Sequence, residues 1–185
     1  VSAGGGGIFN TGNSTVNLTN STISNNKADK AGGILNAAGT VIAKDTIIAG
    51  NTVTDTSPFS SPDFAGTLSS QGYNLIGNTT GTTIIGTTTG NILNVAANLG
   101  PLQNNGGSTQ TMALLANSPA INAGDPNFTP PPNTDQRGTG FERVKGGRLD
   151  IGAFESDFAL TAEMLQLSNP NLMGTAFLQP QSTIF

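Results

Sequence analysis

The sequence predicts an all-β fold built as a parallel β-solenoid, and three observations carry that reading. The chain of 185 residues holds 25 glycines and only 10% charged residues, so its polarity is uncharged. Asn, Thr and Gly dominate, which favours strands and tight turns over helices. A segment of about 25 residues recurs without a gap, the signature of stacked repeats.

The repeat is read directly. "STVNLTNSTISNN" (14–26) aligns on "GTVIAKDTIIAGN" (39–51) and this on "GTLSSQGYNLIGN" (66–78), at offsets of 25 and 27 residues. The preceding "GGIFN" (6–10) returns as "GGILN" (32–36). The columns are Val16, Val41, Leu68; Leu18, Ala43, Ser70; Ile23, Ile48, Leu75; and Asn26, Asn51, Asn78. A turn column of Asn20, Asp45 and Gly72 lies between them, residue types that tolerate a left-handed backbone. Each unit thus reads as strand, tight turn, strand, Asn turn. So short a unit cannot bury its apolar face alone and must stack on its copies, strands about 4.8 Å apart. The Val/Leu and Ile/Leu columns then form the core, and the Asn column becomes a ladder of side-chain amides.

Residues 1–98 are assigned to these coils, with "TTGTTIIGTTTGNILN" (79–94) as a degenerate copy carrying Ile84 and Ile92. From Leu99 the period is lost. Residues 99–155 are Pro-rich, hold four of the seven basic residues and read as an irregular cap over the last coil. Residues 156–185 form a tail, in which Leu160, Met164 and Leu167 fit a helical stripe ended by Pro170, with a docking strand as the alternative.

Composition excludes much chemistry. There is no Cys and no His, hence no disulfide, thiolate or imidazole metal site, and no His general base. No cofactor site is expected. A net charge of −4 lacks the basic field that nucleic acid requires. No apolar run approaches the ~20 residues of a membrane span. "GGGGIFN" lacks the Lys and Ser/Thr of a phosphate loop and the Asp of a calcium nonapeptide. Glycosylation sequons at Asn13, Asn17, Asn20, Asn78 and Asn127 are what an Asn/Thr-rich composition generates.

The segment "LGPLQNNGGSTQTMALLANSPAINAG" (99–124), followed by "TDQRG" (134–138) and "DIGAFE" (150–155), resembles the C-terminal region of bacterial right-handed parallel β-helix proteins of the choice-of-anchor Q type. Met112 departs from that pattern, where relatives often carry His. The "GGIFN/GGILN … ISNN/IAGN" text is similar to repeats of bacterial surface and autotransporter passenger proteins. The resemblance implies a right-handed parallel β-helix of about three to four coils with an irregular C-terminal cap and tail. It also implies that the chain is the C-terminal portion, or a processed product, of an exported, surface-displayed or extracellular bacterial protein. It supplies no catalytic site.

A non-catalytic structural or adhesive role is therefore expected, with self-association by end-to-end β-stacking into filaments, and carbohydrate or another cell-surface ligand as partners. The alternative is a polysaccharide-active lyase or glycosidase-like enzyme with its cleft in upstream coils. Candidate coil acids are Asp29, Asp45, Asp55 and Asp63, which do not stack into an acidic pair by register. The second cluster comprises Asp135, Arg137, Glu142, Arg143, Arg148, Asp150 and Glu155. It reads as cap ion pairing, Arg137 and Arg148 pinning loops to Asp135, Asp150 or Glu155.

Overall fold

The computed structural model describes residues 4–55, 57 and 60–158. Those residues form fourteen strands and no helix. In chain order these are β1 (Ile8–Asn10), β2 (Thr15–Thr19), β3 (Thr22–Ile23), β4 (Lys27–Ala28), β5 (Ile34–Asn36), β6 (Thr40–Lys44), β7 (Ile47–Ile48), β8 (Thr52–Val53), β9 (Phe64–Gln71), β10 (Leu75–Ile76), β11 (Thr82–Thr87), β12 (Ile92–Leu93), β13 (Leu99–Gln103) and β14 (Thr111–Leu114). The strands up to β12 pair in parallel in curled sheets. β1–β5–β9 and β2–β6–β9–β11 share one sheet, β3–β7–β10–β12 make a second, and β4–β8 a third. Only β13 and β14 run antiparallel.

The pairing follows the repeat. Val16 lies beside Val41 and Leu18 beside Ala43, while Ala43 lies beside Ser70. Residues of like position thus fall into columns, and the side chains of alternate residues point inward. Ile34, Val41, Ile48, Phe64, Leu68 and Ile76 are fully buried there, with Ile8, Val16 and Ile23 packed against them. β9 serves two columns because it bends at Gly66. Its φ is +108°, and a Cβ at that position would sit 2.3 Å from the Asn36 carbonyl oxygen. Only glycine fits.

One column differs from the sequence expectation. Ile48 pairs with Ile76, not Leu75, and Leu75 pairs with Ile47. The cause is the corner before β10. Earlier corners turn on one residue of positive φ, Asn20 (47°) or Asp45 (49°), whereas this one uses both Gly72 (94°) and Tyr73 (55°). The extra residue shifts the register by one and exchanges the two faces of β10. Leu75 consequently leaves the inner column for the outer face.

The Asn ladder changes in the same region. The backbone and side-chain amides of Asn26 donate to Asn51 Oδ1 at 3.0 and 2.9 Å. Those of Asn51 donate to Asp63 Oδ1 at 2.9 and 2.8 Å. Asp63, not Asn78, thus takes the third position; Asn78 Oδ1 instead accepts the Thr80 N–H at 2.8 Å. Asp63 enters from the loop before β9, and its carboxylate accepts both Asn51 donors just as Asn51 Oδ1 accepts both donors of Asn26. A second ladder runs Thr46, Asn74, Asn91, each accepting through its side-chain oxygen the backbone N–H one level away.

Among the described residues, 99–155 do not cover the last level. β11, among the described residues, pairs only with β9, and its residues are exposed or half-buried. Residues 99–155 lie instead along the outer face of the β3–β7–β10–β12 sheet. There Ile47 and Leu75 are buried with Leu114, Ala120, Ile151 and Phe154. Backbone bonds fix the contact: Gly152 N–H donates to Asp45 O at 2.9 Å, and Ala153 N–H to Thr22 Oγ1 at 3.0 Å. Apart from Phe158, the helical stripe expected at 158–167 lies outside the described residues.

Truncation of Leu68, fully buried in the inner core, is expected to lower unfolding free energy by about 2–5 kcal/mol. Ile85→Ala, on the exposed side of β11, should stay within about 0.5 kcal/mol. Urea titration of the two variants tests the inner column: equal midpoints would contradict it.

Candidate functional site

The charged residues of 99–155 converge behind the outer sheet face. Asp135 and Arg137 form a bidentate pair, Arg137 Nε donating to Asp135 Oδ1 at 3.2 Å and Nη2 to Oδ2 at 2.6 Å. The guanidinium lies between the rings of Phe141 and Phe154, 4.0 and 3.8 Å from their centroids, and Nη2 also donates to the Glu155 carbonyl at 2.6 Å. Stacked and paired in this way, Arg137 pins the loops, and lysine could not replace it.

Among the described residues, Arg148 forms no ion pair with an acid. Its Nε donates to the Gly124 carbonyl at 2.6 Å and Nη2 to that of Ala123 at 2.9 Å. The ion pair expected for it fails because two backbone carbonyls lie at the end of its reach. Arg143 is the cation that goes to Glu155, at 3.8 Å, and its side chain is 1% exposed. Asp150 accepts the N–H groups of Asn122 and Ser156, each at 2.6 Å. Glu155 accepts those of Lys145 and Asp150, each at 3.0 Å.

Desolvation dominates these acids. Burial pushes the Glu155 carboxyl up to about 7, and it raises Asp150, Asp45 and Asp63 above the usual aspartate value. Burial also lowers Arg143 below the ordinary guanidinium value, against the opposing charges of Glu155, Asp135, Asp150 and Asp45. Asp125 is held low by the hydrogen bond from Lys44, a 2.7 Å ion pair at the rim.

The coil acids have separate partners. Asp29 accepts from Thr54 Oγ1 at 2.6 Å, Asp55 from the Ser57 N–H at 2.9 Å, Asp63 from Asn51, and Asp45 Oδ1 from the Asp125 N–H at 2.7 Å. Among the described residues no three acids group at metal-binding distance.

Where the outer segment meets the β2–β3 corner, a cavity of about 650 Å³ opens, walled by Asn20, Thr22, Ile23, Pro132, Gln136 and Arg143. A second, of about 310 Å³, shares Thr22, Ile23 and Gln136 with it and reaches Leu102 and Met112. Asn20 Oδ1 and Nδ2, Asp45 Oδ2, and Arg143 Nε and Nη1 are buried without a partner. The sequence places Asn20 and Asp45 in one turn column but gives no sign that Arg143 shares a cavity wall with Asn20. Comparisons with protein families, curated proteins and solved structures find no match.

Two outcomes follow for the buried charges. Arg137→Ala strands Asp135 and is expected to cost about 3–5 kcal/mol in a denaturant titration; an unchanged midpoint would refute the pinning role. Because the folded-state value of Glu155 lies above the ordinary 4.5, the folded chain keeps a proton that the unfolded chain releases. Its contribution to stability is present below that ordinary value and is lost as pH rises towards about 7. Melting temperature should therefore fall between about pH 5 and pH 8, and Glu155→Gln should flatten the slope; identical slopes would contradict the assignment.

Proposed function

We propose that the chain is a portion of a right-handed parallel β-helix that serves as a non-catalytic structural or adhesive element exported to the bacterial surface, elongated by end-to-end strand stacking. One observation carries the reading. Among the described residues, β1, β2 and β3 at one end and β11 and β12 at the other each have one paired edge and one unpaired edge. β2 and β11 occupy the same column, as do β3 and β12, so the edge at one end repeats the edge at the other. No residue of β2, β3, β11 or β12 is charged, so the charged side chains that commonly block edge pairing are lacking on these strands, and the longer edges β2 and β11 are the ones open to it. Such an edge accepts a further level, from upstream chain or from a second copy, and a head-to-tail contact of this kind does not close. The text from "LGPL" to "DIGAFE" supports the surface-protein reading.

The enzyme alternative receives less support. The buried carboxylates each accept N–H groups within the fold, which is the work of holding loops, and the coil acids have separate donors.

Sedimentation velocity across a concentration series tests the proposal. Association that grows with concentration is expected, weakened at least tenfold in a variant carrying Ile85→Lys and Thr87→Lys on β11. A monomer at every concentration would overturn self-stacking. New reducing or unsaturated ends released from acidic polysaccharides would overturn the non-catalytic reading.

A further inference from the structure

The side-chain ladders that cross the levels all run in one direction. From the first level, β1 to β4, Asn10 Nδ2 donates to Asn36 Oδ1 at 3.0 Å, the Asn26 amides to Asn51 Oδ1, and the Ser21 N–H to Thr46 Oγ1 at 3.4 Å. Each level thus gives donors to the next and takes them from the one before. Among the described residues nothing precedes the first level, so its acceptors stay open. Ser21 Oγ turns its own hydrogen to the Thr19 carbonyl, as Thr46 Oγ1 does to that of Lys44, which leaves its oxygen free to accept. Asn26 Oδ1 receives no donor among the described residues.

The backbone edge matches. Ile47 N–H donates to Ser21 O and Ala49 N–H to Ile23 O, both toward the first level. Parallel pairing repeats from level to level, so the corresponding Thr22 and Ser24 turn their N–H groups to the open side. That of Ser24 meets no acceptor among the described residues. This edge is complementary to a strand that brings two carbonyls and, three residues past the second, an asparagine carboxamide.

The edge is also walled. Thr22 and Ile23 line both cavities, of about 310 and 650 Å³; Ser24 and Asn26 line the smaller and Ser21 the larger. Met112 and Phe154 of the outer segment complete the smaller one. A strand added here has two covered faces, the inner on Ile8 and Ile23 and the outer on Met112 and Phe154. It therefore needs two apolar residues in succession. Ile47 and Ile48 have that form one level on.

These requirements define the occupant as Ser/Thr-apolar-apolar-x-x-Asn, the form of "TIIAGN" at 46–51. The last level of a second copy fits less well. Leu93 stands in the column of Ile48, but three residues on is Ala96, without a carboxamide, and the Asn91 N–H is taken by Thr88 O.

We infer that the free edge of β3 is a docking site for a partner polypeptide carrying a β-solenoid repeat strand of that form, added in parallel with its Asn donating to Asn26 Oδ1. The inference deepens the end-stacking reading, on which it rests for the parallel mode of addition, and names the chemistry that the edge selects.

The probe is the synthetic peptide GTVIAKDTIIAGN, the sequence of residues 39–51, carrying a fluorophore and titrated with the whole chain. Anisotropy should give a Kd on the order of 0.1 mM, and hydrogen exchange should slow at the Thr22 and Ser24 amides. The same peptide with Asn51→Ala should bind about tenfold more weakly. In the chain, Ser24→Pro removes an N–H that bonds nothing in the fold and should weaken binding about tenfold at unchanged melting temperature. Ser21→Ala, which removes one acceptor, should weaken it about threefold. No binding up to about 1 mM, equal affinity of the alanine peptide, or undiminished affinity in both chain variants would overturn the inference. Sedimentation separates it from self-stacking. Peptide binding by a chain that stays monomeric upholds the site and overturns the filament, whereas association without peptide binding overturns the site alone.

Discussion

Ile47 and Leu75 point away from the inner core and are nonetheless fully buried, and most of the architecture depends on that contact. A parallel strand whose two faces are both covered carries apolar residues in succession, not in alternation. "II" in β7 and "LI" in β10 have that form. The outer segment 99–155 supplies the second cover, through Ala120, Ile151 and Phe154. Its loops have little regular structure, so they need the Arg137 and Arg143 networks to hold a shape against the sheet. The buried charges serve the apolar contact, not the reverse.

The same geometry explains how much was legible in the sequence. Val16, Val41 and Leu68 could be read as a column because their strands carry the same spacing of apolar residues. The register slip at Leu75 could not, because glycine at position 72 matches an Asp or Asn turn residue as well in text as in a longer corner. Tyr73 at positive φ is the deciding residue, and a bulky aromatic gives no warning of that conformation. Asn78 was misplaced for the same reason, its position in the ladder going to Asp63, a residue outside the repeat.

Position of the outer segment was legible in principle. The doubled apolar residues of β7 and β10 signal a sheet covered on both faces, whereas a cap over the end of the stack requires only one covered face. The acids and arginines of residues 135–155 announce a network, but pairing depends on loop paths that composition does not encode. Arg148 ends on carbonyls, while Arg143 turns inward to Glu155 and the Asp150 carbonyl. Cavities of this kind arise between elements distant in sequence, here with Asn20 and Arg143 in one wall, and no local motif marks them.

The account's central claim is that the parallel sheets and the outer segment are one cooperative unit joined through Ile47 and Leu75. Native-state hydrogen exchange, comparing the wild-type chain with Ile151→Ala, measures this most directly. The account predicts that the Ile47 and Leu75 amides and the Gly152 amide lose protection together and by similar factors. Loss of protection at Gly152 with β7 and β10 unchanged would contradict it, and would make the outer segment an accessory to sheets that stand alone.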